Sequence, residues 1–358
     1  MKTVNNLFEQ IVTKENIMLA INNAAKGKRR KANVRYALRH QEEIAERLRK
    51  KLLDDTWRPC EYHRVKIIND GIKMKKRGIV CPTFVNEQGV HHAILQIVKP
   101  ILMRRFYRYS CASIPTRGVE YALKYVRKNI KKDYRGTKYY AVLDIRKFFD
   151  SIKPSKVFHQ LRRIIRDKRT LLLFAGILRA NKVIIGEEQN EGMKCIKRGT
   201  PIGFYTSPWL ANTLLTPLDN LIKETTKYYV RYNDDMLLMS GNKRKLKETI
   251  EMVREYLAGI GLELKNEPQI HKLNDVPIHF IGMKVYREKI ILASKVFLRA
   301  RRTAAKIRKK GFITIYDARK IISYSGRFKH FNTRLAYRKY IEGNVKRKKC
   351  RKIISKKG

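Results

Sequence analysis

The stretch that decides how this sequence is interpreted is "VRYNDDMLLMS", residues 230–240. Its apolar residues on either side of Asn233, Asp234 and Asp235 predict a pair of half-buried strands joined by a tight turn. Asn and Asp favour such turns because their side chains bond the local backbone. The alternative interpretation is a metal site, because two carboxylates at a rigid hairpin tip offer hard oxygen ligands to Mg²⁺. That interpretation requires a third carboxylate elsewhere and a substrate that carries phosphate.

The charge of the chain points to a polyanionic partner. Among 358 residues there are 82 Lys and Arg against 31 Asp and Glu, a net charge of +51. So large an imbalance favours nucleic acid, with an anionic membrane surface as the alternative. No run approaches the roughly 20 apolar residues that span a bilayer. The N-terminus carries Glu9, Lys14 and Glu15 within its apolar pattern, so it predicts an amphipathic helix rather than a signal peptide.

The cysteines and histidines give no metal-binding pattern. The five cysteines contain no C-x-x-C pair, which is typical of reduced thiols in a cytoplasmic protein. His91 and His92 are neighbours, but adjacent residues on a helix point in different directions. A joint histidine site is therefore not expected.

Periodicity predicts a mixed α and β organisation without linkers or repeats. Residues 1–60 predict two or three helices, joined by the basic stretch 26–35. Further helices are predicted at 90–107, 118–132, 153–167, 171–181, 206–224 and 243–261. Strands are predicted at 139–145, 262–266, 279–286 and 289–294, with hairpins at 61–85 (turning at Asn69-Asp70-Gly71) and 183–196.

The last part of the chain has its own character. Residues 295–358 hold 23 Lys and Arg against only Asp317 and Glu342. The periodicity predicts a separate basic helical domain, whose cations either contact phosphates or form a solvated face. Phosphate contact is favoured, with these residues as candidates: Arg299, Arg301, Arg302, Lys306 and Arg308.

A third carboxylate stands in "AVLDIRKFFDSI", residues 141–152, where Asp144 ends an apolar strand. It either caps the next element or binds metal. Phe149, five residues later, could place its ring beneath a nucleotide sugar, where a 2′-hydroxyl would collide with it. In "GTPIGFYTSPWLAN", residues 199–212, Gly203 permits close backbone approach. Ser207 opens a helix there, either beside the nucleotide or simply as an N-cap.

Several ordered motifs together resemble those of reverse transcriptases. "LDIRKFFDSI", "PIGFYTSPWLAN" and "YNDD" follow the order and spacing of that family's palm motifs. Four further stretches resemble its other blocks: "KKRGIVCP" (75–82), "SCASIPTRGVEYAL" (110–123), "GLELKNE" (261–267) and "FIGMKV" (280–285). The resemblance covers roughly residues 5–340, and it is specific because several motifs coincide in order.

The resemblance implies an α+β right-hand polymerase with fingers, a palm built on an antiparallel sheet, and a helical thumb. The expected divisions are an N-terminal helical extension (1–60), fingers (61–138), a palm with a fingers-associated helical insertion (139–290) and a basic thumb (291–358). No maturase, nuclease or RNase H module is expected after the thumb.

For the site, the resemblance implies RNA-directed DNA synthesis with Asp144, Asp234 and Asp235 as catalytic and metal ligands. They would hold two Mg²⁺ ions, for which Mn²⁺ can substitute, and act on an RNA template with a DNA or RNA primer. The family pattern assigns nucleotide contacts to the following residues: Lys75, Arg77, Phe149, Ile202, Gly203 and Lys265. In that pattern Lys75 and Arg77 grip the triphosphate, and Lys265 takes the place of a proton donor to pyrophosphate.

Within the family, the chain is most similar to the reverse transcriptases of diversity-generating retroelements. Ile202 precedes Gly203 where other bacterial enzymes usually have Gln, although Pro208 matches the intron-type ending. This similarity implies low fidelity at template adenine and a small basic accessory protein. The alternatives are another bacterial reverse transcriptase, defence-associated or intron-like, and an inactive RNA-binding scaffold.

Overall fold

The computed structural model describes residues 3–60, 62–69, 76–180, 182–184, 199–328 and 331–357. Three sequence features lie wholly or largely outside these ranges. They are the Asp70-Gly71 turn, Lys75, and the hairpin predicted at 183–196 beyond Ile184.

Ten strands lie in the described ranges and form three sheets. They are β1 Tyr62–Asn69, β2 Lys76–Cys81, β3 Tyr139–Asp144, β4 Lys182–Ile184, β5 Tyr228–Tyr232, β6 Asp235–Ser240, β7 His271–Lys272, β8 Ile278–Phe280, β9 Met283–Val285 and β10 Ile290–Leu292. The central sheet has the order β5-β6-β3-β7, and all its described pairs are antiparallel. The others have the orders β2-β1-β4, in which β1 and β4 are parallel, and β10-β9-β8.

Helices cover much of the remaining chain. They are α1 Phe8–Ile11, α2 Lys14–Ala25, α3 Ala32–Arg39, α4 Gln41–Leu53, α5 Val90–Arg105, α6 Val119–Lys132, α7 Phe148–Ser151, α8 Pro154–Arg162, α9 Lys168–Arg179, α10 Ser207–Thr225, α11 Lys243–Gly259, α12 Ser294–Lys310, α13 Ile315–Phe328, α14 Arg334–Tyr337 and α15 Arg347–Lys357. Two π-helical segments, Phe84–Gly89 and Arg338–Glu342, adjoin α5 and α14. No helix among the described residues is long and apolar enough to cross a membrane.

The central sheet is covered on both faces, which explains its composition. One core packs Ala141, Leu143 and Met236 together with buried residues of α5, α8, α10 and α11. The other packs Val230 and Leu237 with α6 and the basic helices α12 and α13. The prediction of a half-buried strand pair was therefore wrong. All of Met236 to Met239 are 0% exposed, because each side of the strand meets a separate layer.

The N-terminal helices dock against the helices that follow β3. The Asp167 carboxylate caps α9 by accepting from the Thr170 amide at 3.0 Å, and it also accepts from the Leu7 and Phe8 amides at 2.7 and 2.8 Å. One buried carboxylate thus satisfies the open N-termini of two helices. The N-terminal part holds four helices rather than two or three, because α3 begins inside the basic stretch predicted to be a connection.

Two strand predictions after α11 were wrong in detail. The stretch 279–286, predicted as one strand, divides into β8 and β9, which pair antiparallel. Ile281 and Gly282 between them both have positive φ, 44° and 81°, the geometry of a two-residue hairpin turn. The stretch 262–266 makes only one bridge, Leu264 with Ile145, because it lies at the end of β3 rather than alongside it.

Candidate active site

Register brings the three predicted carboxylates to one end of the central sheet. Asp144 is the last residue of β3 and pairs directly with Asp235, the first residue of β6. Side chains of directly opposed residues lie on the same face of a sheet. Asp234 precedes Asp235 in the turn, whose residue Asn233 has a φ of 55°. The alternative role for Asp144, capping the next element, is not observed, because α7 has Lys147 at its N-cap without a side-chain cap.

Lys265 is fixed over this carboxylate group by backbone pairing. Its amide donates to the Asp144 carbonyl at 2.8 Å, and the Arg146 amide donates to the Glu263 carbonyl at 2.9 Å. Its Nζ lies 2.5 Å from Asp144 Oδ2. The pKa of Lys265 is raised, first by the hydrogen bond to Asp144 and further by the charges of Asp144, Asp235 and Asp234. An ammonium group therefore lies within the field of all three carboxylates.

The three carboxylates are suitable ligands for a divalent cation, although their side chains are not arranged around a cation position. Carboxylate oxygens are the hard ligands that Mg²⁺ prefers, and the Lys265 ammonium already stands where positive charge is stabilised. Within the described ranges, no three or more His, Cys, Asp or Glu side chains are close enough together to hold a metal. In this arrangement Lys265 Nζ occupies Asp144 Oδ2.

The segment before α10 joins the residues predicted to contact the nucleotide. The Thr200 amide donates to the Phe149 carbonyl at 2.8 Å, and the Val80 amide of β2 donates to the Ile202 carbonyl at 2.7 Å. Gly203 has a φ of +125°, and a Cβ atom placed there would lie 2.0 Å from the Val80 carbonyl oxygen. The nearby Val80 carbonyl of β2 therefore leaves room only for glycine at position 203.

The structure describes the side chain of Ser207, only the backbone of Arg77, and no part of Lys75. The Ser207 hydroxyl donates to the Pro201 carbonyl at 2.7 Å. The N-cap of α10 is Thr206, which makes no side-chain capping bond, so the prediction of Ser207 as the N-cap was wrong. The backbone of Arg77 pairs with Ile68 in the β1–β2 hairpin, three residues before Val80. Lys75 and the Arg77 side chain lie outside the described part of the chain.

The cations predicted to bind nucleic acid lie on α12. Val296, Ala300, Ala304 and Ile307 form the buried stripe of this helix, so the cations lie on its flanks. By helical spacing, one flank carries Arg299, Arg302 and Lys306, and the other carries Arg301 and Arg308. All five except the partly buried Arg299 are exposed.

A groove of about 410 Å³ begins at Asp144 and follows β3. Its walls come from β3 and from the chain between α11 and β9. They include Tyr140, Val142, Asn266, Glu267, Pro268, Gln269, His271, Val276 and His279. Asp144 therefore borders a groove with both polar and apolar walls.

A buried ion pair behind the hairpin was not predicted from the sequence. Arg231 of β5 and Asp219 of α10 are both 0% exposed, and Arg231 Nη2 lies 2.6 Å from Asp219 Oδ2. The available signal was a charge inside each apolar pattern, "YYVRY" and "LLTPLDNLI". Lys and Arg are almost never fully buried unless paired.

Residues 68–285 match the family model described as reverse transcriptase (RNA-dependent DNA polymerase). This match spans more than half of the chain, so the protein belongs to the reverse transcriptase family. The family prediction is confirmed, and with it a nucleic-acid template as partner and a general use of divalent metal ions at the family level.

Two curated proteins and one solved structure illustrate what the chain is similar to. Protein YkfC of Escherichia coli K12 is 24% identical over 281 residues, which cover 68% of this chain and 71% of that protein. The group II intron-encoded protein LtrA of Lactococcus lactis is 26% identical over 196 residues, covering 55% of this chain but 31% of that protein. Apo telomerase from Candida tropicalis superposes with a TM-score of 0.51 at 11% identity, over 74% of this chain and 57% of that chain. The fold is that of a right-hand polymerase, as predicted.

Proposed function

We propose that this protein is an RNA-directed DNA polymerase whose active site is the Asp144, Asp234 and Asp235 group. The observation that carries the proposal is the direct pairing of Asp144 with Asp235 at the mouth of the β3 groove, in a chain of the reverse transcriptase family. The groove leads away from these carboxylates along the sheet, as a path for the growing end of a primer requires.

The three carboxylates would hold two divalent cations, Mg²⁺ or Mn²⁺. Such ions, when bound, lower the pKa of an attacking hydroxyl and neutralise the charge that develops on the transferring phosphate. The protein residues supply the remaining functions. Phe149 is tied through its carbonyl to the segment that carries Ile202 and Gly203, so the sugar and base contacts would belong to one hydrogen-bonded unit.

The surrounding parts of the chain would take the roles that the sequence predicts. Residues 61–138 would form the fingers, 139–290 the palm and 291–358 the thumb, with α12 facing the phosphates of template and primer. Arg77 would contact the triphosphate from β2, which is bonded to Ile202. Lys265, whose position is fixed by the bond from its amide to the Asp144 carbonyl, would donate a proton to the departing pyrophosphate.

Primer extension on a defined RNA template tests the proposal. Alanine at Asp144, Asp234 or Asp235 should abolish extension while RNA binding is retained, because a lost metal ligand costs far more than the ~1.4 kcal/mol behind a tenfold change. Asp54→Ala, at an exposed carboxylate near α4, is the matched control and should extend normally. Extension within about tenfold of wild type in all three variants would refute the proposed site. A wild type that binds RNA without extending would instead indicate the RNA-binding scaffold.

For the subtype, we propose the error-prone enzyme of a diversity-generating retroelement, working with a small basic accessory protein. Ile202 supports this, because isoleucine cannot donate or accept the hydrogen bonds that a glutamine would make near the base. A lost hydrogen bond weakens discrimination by about 1 kcal/mol. Sequencing cDNA from one RNA should show errors concentrated at template adenine, and fewer errors for Ile202→Gln. Matching error spectra would favour the intron-like alternative, to which the similarity with LtrA and Pro208 also point.

A further inference from the structure

Arg231 is the largest of the fully buried side chains in the described part of the chain. A guanidinium has five N–H donors, and here each of them has a partner. Nε donates to Asp219 Oδ1 at 2.7 Å, and Nη2 donates to Asp219 Oδ2 at 2.6 Å and to Ser110 Oγ at 2.9 Å. Nη1 donates to Asn212 Oδ1 at 3.0 Å and to the Asn233 carbonyl at 3.1 Å.

The contact with Asn233 reaches the tip of the hairpin that carries two of the carboxylates. Asn233 adopts a left-handed backbone conformation, with a φ of 55°, and its carbonyl belongs to the peptide that leads directly into Asp234. The backbone of Arg231 is held as well. Its amide donates to the Tyr109 carbonyl at 3.0 Å, and its carbonyl accepts from the Cys111 amide at 2.8 Å. The backbone of Arg231 is therefore held in place, and its guanidinium binds a turn whose geometry determines the position of Asp234.

The partner carboxylate is equally constrained. Asp219 Oδ1 also accepts from the Tyr229 hydroxyl at 2.7 Å, and Asn212 Nδ2 donates to the Ala112 carbonyl at 3.1 Å. Asp219 and Asn212 both lie on α10, which begins four residues after Gly203. The same guanidinium thus links the helix that follows the nucleotide segment to the hairpin that carries the carboxylates.

We infer that Arg231 is a positioning residue for the active site, which holds the Asn233 carbonyl and thereby fixes where Asp234 and Asp235 meet Asp144. The inference rests on the proposed polymerase function. Its rival is a purely structural role, in which the ion pair only stabilises the fold. The two can be separated, because replacing both members of a buried pair by apolar residues of similar volume is often neutral for stability. A double apolar replacement would remove the bond to Asn233 without leaving a buried charge unpaired.

The experiment compares wild type with Arg231→Met/Asp219→Leu and with Arg231→Lys. Lysine preserves the positive charge beside Asp219 but lacks the planar fork that reaches two partners at once. Arg287→Lys is the matched control, because Arg287 also donates to a backbone carbonyl, that of Ile130 at 2.9 Å, away from the carboxylate end of the sheet. Three quantities are measured for each protein: the melting temperature, kcat and KM for primer extension, and Mn²⁺ affinity by electron paramagnetic resonance.

Loss of a residue that orients metal ligands typically costs 10–100-fold in activity or metal affinity. The double variant should melt close to wild type, with kcat lower by about 10–100-fold, weaker Mn²⁺ binding and an unchanged KM for primer–template. Arg231→Lys should show the same pattern with smaller changes, and Arg287→Lys should match wild type in kcat, KM and Mn²⁺ affinity.

Wild-type kcat and Mn²⁺ affinity in a folded double variant would overturn the inference. If the double variant does not fold, Arg231→Lys decides, because a fall in both kcat and Mn²⁺ affinity at an unchanged melting temperature supports positioning, and wild-type values refute it. A wild type without extension activity would refute the proposed function, whereas the Mn²⁺ comparison would still test Arg231.

Discussion

Replacing Gly203 by alanine tests whether the nucleotide segment is held by β2. A Cβ atom at this position would lie 2.0 Å from the Val80 carbonyl oxygen and 3.0 Å from Ile79 Cγ2. Backbone must move to relieve the first contact, because a carbonyl oxygen cannot rotate away as a side chain can. The φ of +125° adds strain, since side chains other than glycine are rarely found there. Such strain costs about 1–3 kcal/mol.

The displacement should also break the bond from the Val80 amide to the Ile202 carbonyl, 2.7 Å long, which contributes about 1 kcal/mol. The expected loss for Gly203→Ala is therefore about 2–4 kcal/mol, or about 3–5 °C in melting temperature for a chain of this length. Because Ile202 moves with its neighbour, KM for the incoming nucleotide should rise as well.

Gly27→Ala is the matched control for this experiment. Gly27 also has a positive φ, +74°, but nothing lies within 4 Å of its Cβ position. Its substitution should cost only the conformational strain, about 1–2 kcal/mol, without any change in nucleotide KM. Thermal melting and steady-state primer extension of both variants measure the difference. A Gly203→Ala protein that melts like Gly27→Ala and keeps the wild-type nucleotide KM would refute this account of the segment.

Three further predictions follow from the site and the fold. Phe149→Val should raise ribonucleotide incorporation relative to deoxynucleotide incorporation in single-nucleotide extension, and unchanged discrimination would move the sugar gate to another residue. RNA affinity should fall steeply with salt, with a log–log slope of about −0.7 for each single-strand phosphate contact. A titration should show a flatter slope after glutamine replaces the α12 cations Arg299, Arg301, Arg302, Lys306 and Arg308, and an equal slope would place the binding surface elsewhere. Burial lowers the pKa of His91 from 6.5 to about 3, so its contribution to stability is present above pH 6.5 and is lost as the pH falls towards 3. At pH 5 the loss is about 2 kcal/mol, and melting curves at pH 7 and pH 5 should show less acid sensitivity for His91→Phe than for wild type.

Local patterns in the sequence predicted most of the elements that build the site. The apolar run that ends at Asp144 and the Asn233-Asp234-Asp235 tip predicted β3 and the β5–β6 hairpin, because apolar strands bounded by turn residues are recognisable locally. The family resemblance grouped Asp144 with Asp234 and Asp235, but the register that pairs Asp144 with Asp235 was not predicted. Strands some 90 residues apart carry no local signal of their register.

Other features of the site were not predicted because they depend on contacts between residues that are far apart in the sequence. The role of Arg231 was not predicted, because Ser110, Asn212 and Asp219 become its neighbours only in the folded state. The close contact that requires Gly203 comes from Val80, more than 100 residues earlier, and so the glycine suggested a ligand instead. The turn at Ile281 was missed because a β-branched residue rarely adopts positive φ, which makes an unbroken strand the natural prediction.

The contact between Lys265 and Asp144 has a consequence for the order in which ligands arrive. A site of three carboxylates would repel RNA phosphates until cations neutralised it, whereas the tethered ammonium, 2.5 Å from Asp144 Oδ2, serves as an internal counter-ion. We therefore expect template and primer to dock even when no divalent cation is present. RNA affinity measured in EDTA should accordingly be lower for Lys265→Met than for Lys272→Met, which removes an exposed lysine of β7, and equal affinities would show that docking does not depend on this built-in charge.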